Sequence, residues 1–194
     1  MPITGAATGF NRHAVGMFEP RAIAPSPIVT ERLVLRGFQA SDFAQLAEMN
    51  ADSSVMRYVG GPISRQASDD TVRRSSEHWA EHGFGRFAIE DSRTHACIGW
   101  IGLAYGNPVL PNEVEIGWRL AHPYWGAGIA TEAARAVLDW LMAAFELPCV
   151  VSIANAQNTA SIAVMHRLGL RHRADLIFEG EAVTIFEITA SRRA

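Results

Sequence analysis

The chain has 194 residues, of which 48% are hydrophobic, and this size and apolar content suit one globular domain with a full core. The formal net charge is −3, so the composition gives no reason to expect nucleic acid or an anionic membrane as a partner. All 17 basic residues are arginine, and a phosphate held by a side chain must therefore be held by Arg, His or a neutral donor.

Residues 1–27 are rich in Gly, Pro, Ala and Thr and show no hydrophobic period. This predicts an N-terminal arm that is flexible, or that packs on the domain or on the second subunit of a homodimer. We assign residues 28–194 to a single domain. No apolar run reaches the roughly 20 residues of a membrane span, and no secretory signal is evident. Cys97 and Cys149 both lie in apolar runs, which favours a cytoplasmic protein with buried thiols.

The first elements of the domain follow a clear hydrophobic pattern. Leu33 and Leu35 alternate with charged residues, as in a half-buried strand. The next segment has apolar residues at helical spacing, and Ser41 or Asp42 can cap it. In chain order, strands are predicted at residues 28–38, 85–91, 95–105, 114–120, 149–155, 171–179 and 182–189, and helices at residues 39–50, 67–82, 130–145 and 158–170.

This order of elements predicts an α/β fold, with a central mixed twisted sheet of about seven strands flanked by about four helices. The helix at 130–145 lies between two apolar strands, 114–120 and 149–155. A strand, a helix and a second strand in this order form a parallel crossover, so the sheet is expected to contain one parallel pair.

The segment HPYWGAGIATEAA places two glycines directly before the helix at 130–145. A helix N-terminus presents unpaired backbone N–H groups and a partial positive charge, so it can hold a phosphate without lysine. Gly126 and Gly128 would let the backbone approach the anion, and residues 129–131 would supply the amides. A plain strand-to-helix turn explains the same glycines, so the loop alone leaves both interpretations open.

Two better-known nucleotide motifs do not fit this loop. A P-loop requires a lysine after its second glycine, and the chain contains none. A dinucleotide fingerprint requires a third glycine where Thr131 stands and an acidic residue at the end of the next strand, where Asn155 stands. The sequence therefore disfavours NAD as a ligand.

Four segments together resemble the RimJ/RimL-like branch of the GNAT superfamily of N-acetyltransferases: TERLVLRGFQASDFAQLAEMN, IGWIGL, EVEIGWRLAHPYWGAGIATEA and NTASIAVMHRLGL. They occur in the order typical of that branch, between about Ile28 and Leu170. The resemblance implies the GNAT fold, acetyl-CoA as cosubstrate without a metal, and transfer of the acetyl group to a primary amine. It implies as acceptor a protein N-terminus or a small molecule.

The resemblance also implies which residues bind the coenzyme. The loop resembles the family pattern Q/R-x-x-G-x-G/A but has Trp125 at its first position and Ala127 where a basic residue is frequent. Backbone amides are therefore expected to dominate the phosphate contacts, and the strand before the loop is expected to pair with the pantetheine arm. The implied coenzyme-binding residues are Trp118, Arg119, Leu120, Trp125, Gly126, Ala127, Gly128, Ile129, Ala130, Thr131 and Asn158.

Direct acetyl transfer needs a base for the amine and a donor for the departing thiolate, but no covalent intermediate. Glu115 lies on the strand that, by the resemblance, borders the acetyl group, and Glu113 alternates onto the same face and competes for the role of base. The resemblance places Ser161 near the thioester sulfur and Asn158 on the coenzyme, although Asn158 also has the type and place of an N-cap. Asn155 is a weaker candidate at the end of its strand.

Two other functions are compatible with parts of the chain. His78, Glu81 and His82 have the spacing of an inverted zinc-peptidase motif, in which two histidines share one helix face. Gly83 ends that helix at once, and no third ligand is evident. The second alternative is an acyl-CoA-binding sensor that keeps the fold but does not turn over its ligand.

Overall fold

The computed structural model describes residues 26–145 and 147–189. Nearly all of the predicted arm at 1–27 therefore lies outside the described residues. The strands are β1 (Ile28–Val29), β2 (Leu33–Arg36), β3 (Arg86–Asp91), β4 (Cys97–Tyr105), β5 (Val114–Leu120), β6 (Cys149–Asn155), β7 (Arg171–Phe178) and β8 (Glu181–Thr189). The helices are α1 (Asp42–Ala51), α2 (Ser53–Met56), α3 (Arg65–His82), α4 (Ile129–Ala144) and α5 (Thr159–Arg167), with a 3₁₀ turn at His122–Tyr124.

The predicted α/β fold and order of elements are confirmed, with one more strand and one more helix in the described residues. The additional strand, β1, has two residues, and the additional helix, α2, has four. Elements this short cannot show a hydrophobic period, so the sequence did not reveal them. Of the two residues predicted to cap α1, Ser41 makes no capping hydrogen bond with its side chain, whereas the Asp42 carboxylate accepts from the Gln39 backbone N–H just before the helix at 2.7 Å. The same carboxylate also pairs with Arg36 at 2.8 Å.

The sheet order is β1-β2-β3-β4-β5-β6-β8-β7, and among the described strands only β5 and β6 are parallel neighbours. β5 pairs with β4 along its whole length, from Val114 to Leu120. It pairs with β6 only where Glu115 meets Val151. Beyond that point the two strands are no longer paired, while β6 stays paired with β8 up to Asn155. The parallel crossover predicted from the sequence therefore carries an opening in the middle of the sheet.

Helices cover both faces of the sheet. On one face α4 buries an apolar stripe, Ala133, Ala134, Val137, Leu138 and Leu141, against the main core. On the other face α1 and α3 pack over a smaller cluster that includes Leu46, Val72 and Ala88. No helix within residues 26–145 and 147–189 is both long enough and apolar enough to cross a membrane.

Candidate active site

A cavity of about 1250 Å³ lies at the opening between β5 and β6. Its walls are the end of β5, the glycine loop, the first turn of α4, the start of α5 and the segment around α2. Of the predicted coenzyme-binding residues, only Ala127 does not line it. The residues that do are Trp118, Arg119, Leu120, Trp125, Gly126, Gly128, Ile129, Ala130, Thr131 and Asn158, and the predicted catalytic residue Ser161 joins them.

The two loop glycines are required by backbone conformation and not by lack of space. Gly126 has φ +73° and Gly128 has φ +78°, both in the left-handed region that favours glycine. A Cβ atom would meet nothing within 4 Å at Gly126, and at Gly128 only the Nη2 atom of Arg32, 3.6 Å away. The turns at both glycines direct the chain into α4.

The first turn of α4 has the features of an anion site. Its first helical hydrogen bond runs from the Glu132 N–H to the Gly128 carbonyl at 3.0 Å, so the amides of residues 129–131 have no acceptor within the helix. The hydroxyl of Thr131 is buried and has no hydrogen-bond partner in the structure. An unpartnered buried donor next to free amides fits a phosphate oxygen, as in the pyrophosphate of coenzyme A.

A clamp that the sequence analysis missed holds this loop. Arg32 donates from Nη1 to the Ala127 carbonyl at 2.9 Å and from Nε to the Glu132 carboxylate at 2.7 Å. The same carboxylate accepts from the Arg32 backbone N–H at 3.0 Å and from the Thr30 hydroxyl at 2.6 Å. Burial raises the pKa of Glu132, but the hydrogen bonds from Thr30 and Arg32 outweigh it, and the net pKa is lowered. The turn between β1 and β2 therefore positions the glycine loop.

Replacing Arg32 with alanine should weaken the binding of acetyl-CoA about three- to tenfold, because the loop loses a hydrogen bond and Glu132 loses its charged partner. Calorimetric titration of the purified protein measures this dissociation constant. Arg65→Ala is the matched control, since Arg65 forms an exposed ion pair with Asp69 on α3, away from the loop. Equal affinities for the two variants would contradict the clamp.

Trp125, which replaces the polar first residue of the family loop pattern, ties the loop to β5. Its indole N–H donates to the Leu120 carbonyl at 2.8 Å, and its ring meets His122 edge-on. The side chain is 45% exposed. Since its one donor is already used, the indole offers no further hydrogen bond to a phosphate.

The end of β5 presents free backbone groups toward the opening. The Ile116 carbonyl accepts from the Ser152 hydroxyl of β6 at 2.9 Å, and the Leu120 carbonyl accepts from Trp125. Both carbonyls therefore face the β6 side. Backbone direction alternates along a strand, so the N–H and C=O of Trp118 face that side too, where β6 no longer pairs. An extended ligand can pair with them as an added strand.

The structure distinguishes the two candidate bases. The Glu115 carboxylate accepts a hydrogen bond from the Asn107 amide. Burial raises the pKa of Glu115, although Asn107, the charge of Arg86 and the Ile153 backbone N–H act against it. Glu115 lies on β5 where the divergence from β6 begins, but it does not line the large cavity itself.

Glu113 precedes β5 and is engaged elsewhere. Its carboxylate forms an ion pair with Arg173 of β7 at 2.6 Å. A carboxylate that already has a cationic partner is a weaker base than a buried one with a raised pKa. The geometry therefore favours Glu115 over Glu113 as a proton acceptor.

Asn158 and Ser161 face the cavity from the start of α5. The Asn158 side chain caps this helix by accepting from the Ser161 backbone N–H at 3.1 Å. The Ser161 hydroxyl forms no hydrogen bond within the described residues, so it is free to serve a ligand. Asn155 bonds instead to Glu181 at 3.0 Å and to the Gln157 backbone.

The histidines of the zinc-peptidase alternative lie in an aromatic cluster. The rings of His78 and His82 are 4.3 Å apart, and both contact Phe84. Burial lowers the pKa of His78 to about 4. Within residues 26–145 and 147–189 no group of three or more His, Cys, Asp or Glu side chains is placed to hold a metal ion. Among the described residues, His78, Glu81 and His82 therefore do not form part of a metal-binding group.

A mixed sheet with one diverging parallel pair, and a glycine loop opening a helix at that divergence, is the architecture of an acetyltransferase. The chain belongs to the GNAT acetyltransferases: the family model described as "Acetyltransferase (GNAT) domain" matches residues 32–171. The predicted membership of the GNAT superfamily is therefore confirmed.

Among curated proteins, the chain is 27% identical to YkkB of Bacillus subtilis over 165 residues, which cover 84% of this chain and 96% of that protein. It is 28% identical over 145 residues to the N-acetyltransferase YnaD of the same organism, covering 74% of this chain and 82% of YnaD.

Solved structures show the same fold. An acetyltransferase from Agrobacterium tumefaciens has a TM-score of 0.75 and 30% sequence identity, and the match covers 88% of this chain and 98% of that one. A RimL ribosomal-protein alpha-N-acetyltransferase in complex with coenzyme A has a TM-score of 0.71 with 17% identity, covering 84% of this chain and 98% of RimL. At that identity the likeness to RimL concerns the fold.

Proposed function

We propose that the protein transfers the acetyl group of acetyl-CoA to a primary amine by direct attack, with Glu115 as general base and Ser161 assisting departure of the thiolate. The observation that carries this proposal is the position of Glu115. It is a half-buried carboxylate whose pKa is raised by desolvation, located where β5 leaves β6 and two residues before Gly117, which precedes the unpaired backbone of Trp118.

The described residues fit acetyl-CoA, which supplies an acetyl group already activated as a thioester. The amides of residues 129–131 and the free Thr131 hydroxyl would hold its pyrophosphate. The backbone of β5 around Trp118 would pair with its pantetheine arm, and the Trp118 N–H can polarise the carbonyl oxygen. Asn158 lies on the opposite wall of the same cavity.

Glu115 would take a proton from the amine, directly or through one water molecule. An ammonium ion has no lone pair, so the nitrogen can attack the carbonyl carbon only after this proton is lost. A raised pKa makes the carboxylate a stronger base, and above that pKa it is ionised and ready to accept. Asn107 holds the carboxylate in place.

Ser161 would donate a hydrogen bond to the sulfur as the carbon–sulfur bond breaks. Its hydroxyl is free of other partners and lines the cavity. After the attack the nitrogen loses a second proton as the carbon–sulfur bond breaks. Of the two protons lost, one goes to the thiolate, through the solvent or the hydroxyl, and the other goes from Glu115 to the solvent, which leaves free CoA and an amide as products.

Replacing Ser161 with alanine should lower kcat about ten- to a hundredfold while the affinity for acetyl-CoA stays within about twofold, because the hydroxyl acts mainly as negative charge develops on sulfur. A thiol-reactive dye that detects CoA follows this rate. Ser76→Ala, on the exposed side of α3, is the matched control. If both variants turned over at the same rate, the role of Ser161 would be wrong.

The acceptor is a protein or peptide N-terminus or a small amine. The RimL structure supports the first possibility by analogy, since its name describes an alpha-N-acetyltransferase of a ribosomal protein. A panel of amines that includes peptides with varied first residues, assayed by CoA release, tests the proposed function. An acyl-CoA-binding sensor would bind acetyl-CoA but release no CoA with any amine of the panel.

A further inference from the structure

Two arginines flank one tryptophan on the face of the sheet that α1 and α3 cover. The guanidinium carbon of Arg86 lies 4.3 Å from the ring centroid of Trp100, and that of Arg119 lies 5.4 Å from it. Trp100 and Arg119 are direct cross-strand partners on β4 and β5. Both guanidinium groups are thus held by cation–π contact near the middle of the sheet.

Neither guanidinium forms an ion pair among the described residues, although the Glu115 carboxylate acts on Arg86 at longer range. Arg36, on the neighbouring strand β2, binds two carboxylates, whereas within residues 26–145 and 147–189 Arg86 and Arg119 form no ion pair. Arg119 donates to the Asn50 side chain at 2.7 Å, and Asn50 donates in turn to the Ser68 hydroxyl at 2.8 Å. This neutral network orients Arg119 without neutralising its charge.

The register places this pair beside the proposed base. Arg86 pairs with Gly102, and Gly102 pairs with Gly117, so these three positions form one row across the sheet. Glu115 and Arg119 lie two residues on either side of Gly117, on the same face of β5. Two strand residues span about 7 Å. Gly102 and Gly117 add no side chain to this row, and the Trp100 ring lies beside Gly117, where a Cβ atom would meet it at 3.8 Å.

The same arginine reaches the coenzyme cavity. Arg119 lines the large cavity at the end of β5 and so borders the proposed site of acetyl transfer, whereas Arg86 lies behind it beside Trp100. Burial and the neighbouring charge of Arg86 lower the pKa of Arg119 to about 10. Burial also lowers the pKa of Arg86, with Arg74 acting in the same direction and Glu115 opposing it. Two poorly hydrated like charges beside one aromatic ring favour binding of an anion.

We propose that the acceptor amine carries a carboxylate a few bonds from its reacting nitrogen, and that Arg86 and Arg119 hold this carboxylate while the amine faces Glu115. This inference rests on the proposed function. An amino carboxylate is short enough to span the roughly 7 Å between the β5 positions of Arg119 and Glu115, and it supplies the ion-pair partner that the described side chains do not give to either arginine. The carboxylate belongs either to a free amino acid or to an acidic residue next to a peptide N-terminus.

CoA release from the full-length protein with matched acceptors tests the inference. One arm compares the amidated peptides Ser-Asp-Ala-Ala and Ser-Asn-Ala-Ala, whose reacting amines are alike. The other arm compares alanine with alaninamide. The amine of alaninamide is less basic and therefore more often neutral, so alaninamide would react faster if the carboxylate had no effect. In at least one arm, kcat/KM should be at least about tenfold higher for the acceptor with the carboxylate than for its neutral partner. The arm that shows this difference tells whether the acceptor is a peptide or a free amino acid.

Variants connect this preference to the arginines. Arg86→Gln and Arg119→Gln should each reduce the ratio of kcat/KM for carboxylate and neutral acceptors toward one. Arg86→Lys should keep part of this ratio, because lysine keeps the positive charge but cannot donate two parallel hydrogen bonds as a guanidinium does. Arg171→Gln, on the exposed face of β7, should leave the ratio at its wild-type value.

The outcomes separate the two proposals. Turnover of neutral amines as fast as their carboxylate partners in both arms would contradict this inference and leave the proposed function standing. An unchanged ratio in both glutamine variants would contradict it as well. Binding of acetyl-CoA without CoA release from any amine would contradict the proposed function, and the inference with it. The comparison of carboxylate and neutral acceptors with the wild-type protein tests the inference even if a variant fails to fold.

Discussion

A Gly128→Pro variant should lose measurable binding of acetyl-CoA, a weakening of at least about a hundredfold. Gly128 has φ +78°, whereas proline fixes φ near −65°, so the turn into α4 cannot form as it stands. The amides of residues 129–131 would then no longer converge on one point. Calorimetric titration with acetyl-CoA measures the loss, and circular dichroism verifies that the variant is folded.

Two further substitutions calibrate this result. Gly128→Ala should be intermediate, since a left-handed residue with a Cβ atom costs about 1–2 kcal/mol and the nearest atom to that Cβ is at an ordinary distance. Trp125→Ala should weaken binding only a few-fold, because it removes one hydrogen bond to Leu120 and leaves the amides in place. A folded Gly128→Pro variant with near wild-type affinity would show that the loop does not hold the phosphates.

Replacing Glu115 with glutamine should lower kcat by about 10²- to 10⁴-fold, the usual contribution of a general base. Affinity for acetyl-CoA should stay near the wild-type value, because Glu115 does not line the coenzyme cavity. Glutamine keeps the size of the side chain and an oxygen for the Asn107 amide. Glu113→Gln is the matched control and should retain most activity, since Glu113 is paired with Arg173 outside the site.

The pH dependence gives Glu115 a separate signature. Its pKa lies above the ordinary glutamate value, and the carboxylate accepts a proton only when ionised. The wild-type kcat/KM should therefore fall as pH drops through this raised pKa, and the Glu115→Gln variant should lack that limb. A limb at higher pH, from ionisation of the acceptor amine, should appear in both proteins. An identical low-pH limb in the variant would assign the titration to another group.

Local pattern was sufficient to predict the central strands of the fold. The bounds of β5 and β6 match the predicted segments 114–120 and 149–155, because both are short apolar runs between clear breaks. The start of α3 was less clear. Ser64 caps this helix by accepting from the Ala67 backbone N–H, so the helix begins at Arg65 and not at residue 67, where its pattern becomes visible.

The site was predictable where it depends on one continuous segment. The loop from Trp125 to Thr131 and the cap at Asn158 are local features, and the resemblance to known acetyltransferases located them. The clamp by Arg32 was not visible, because Glu132 lies a hundred residues further along the chain. An acidic residue in the first turn of a helix is explained equally well by the helix dipole.

The choice between Glu113 and Glu115 also required tertiary structure. Their spacing alone puts both on one strand face, and only the pairing of Glu113 with Arg173 separates them. Arg86 and Arg119 show the same limit, since their approach to Trp100 depends on the register of three strands. Sequence spacing does not determine such cross-strand contacts.

The central claim, acetyl transfer driven by Glu115, is tested most directly by one paired measurement on the wild-type protein and the Glu115→Gln variant. Binding of acetyl-CoA and release of CoA are measured for both, with an amine that supports turnover. The account predicts equal binding, with rapid CoA release only from the wild type and formation of the acetylated amine in equal amount. CoA release from the variant at the wild-type rate, or acetyl-CoA binding by the wild type without release for any amine, would contradict it.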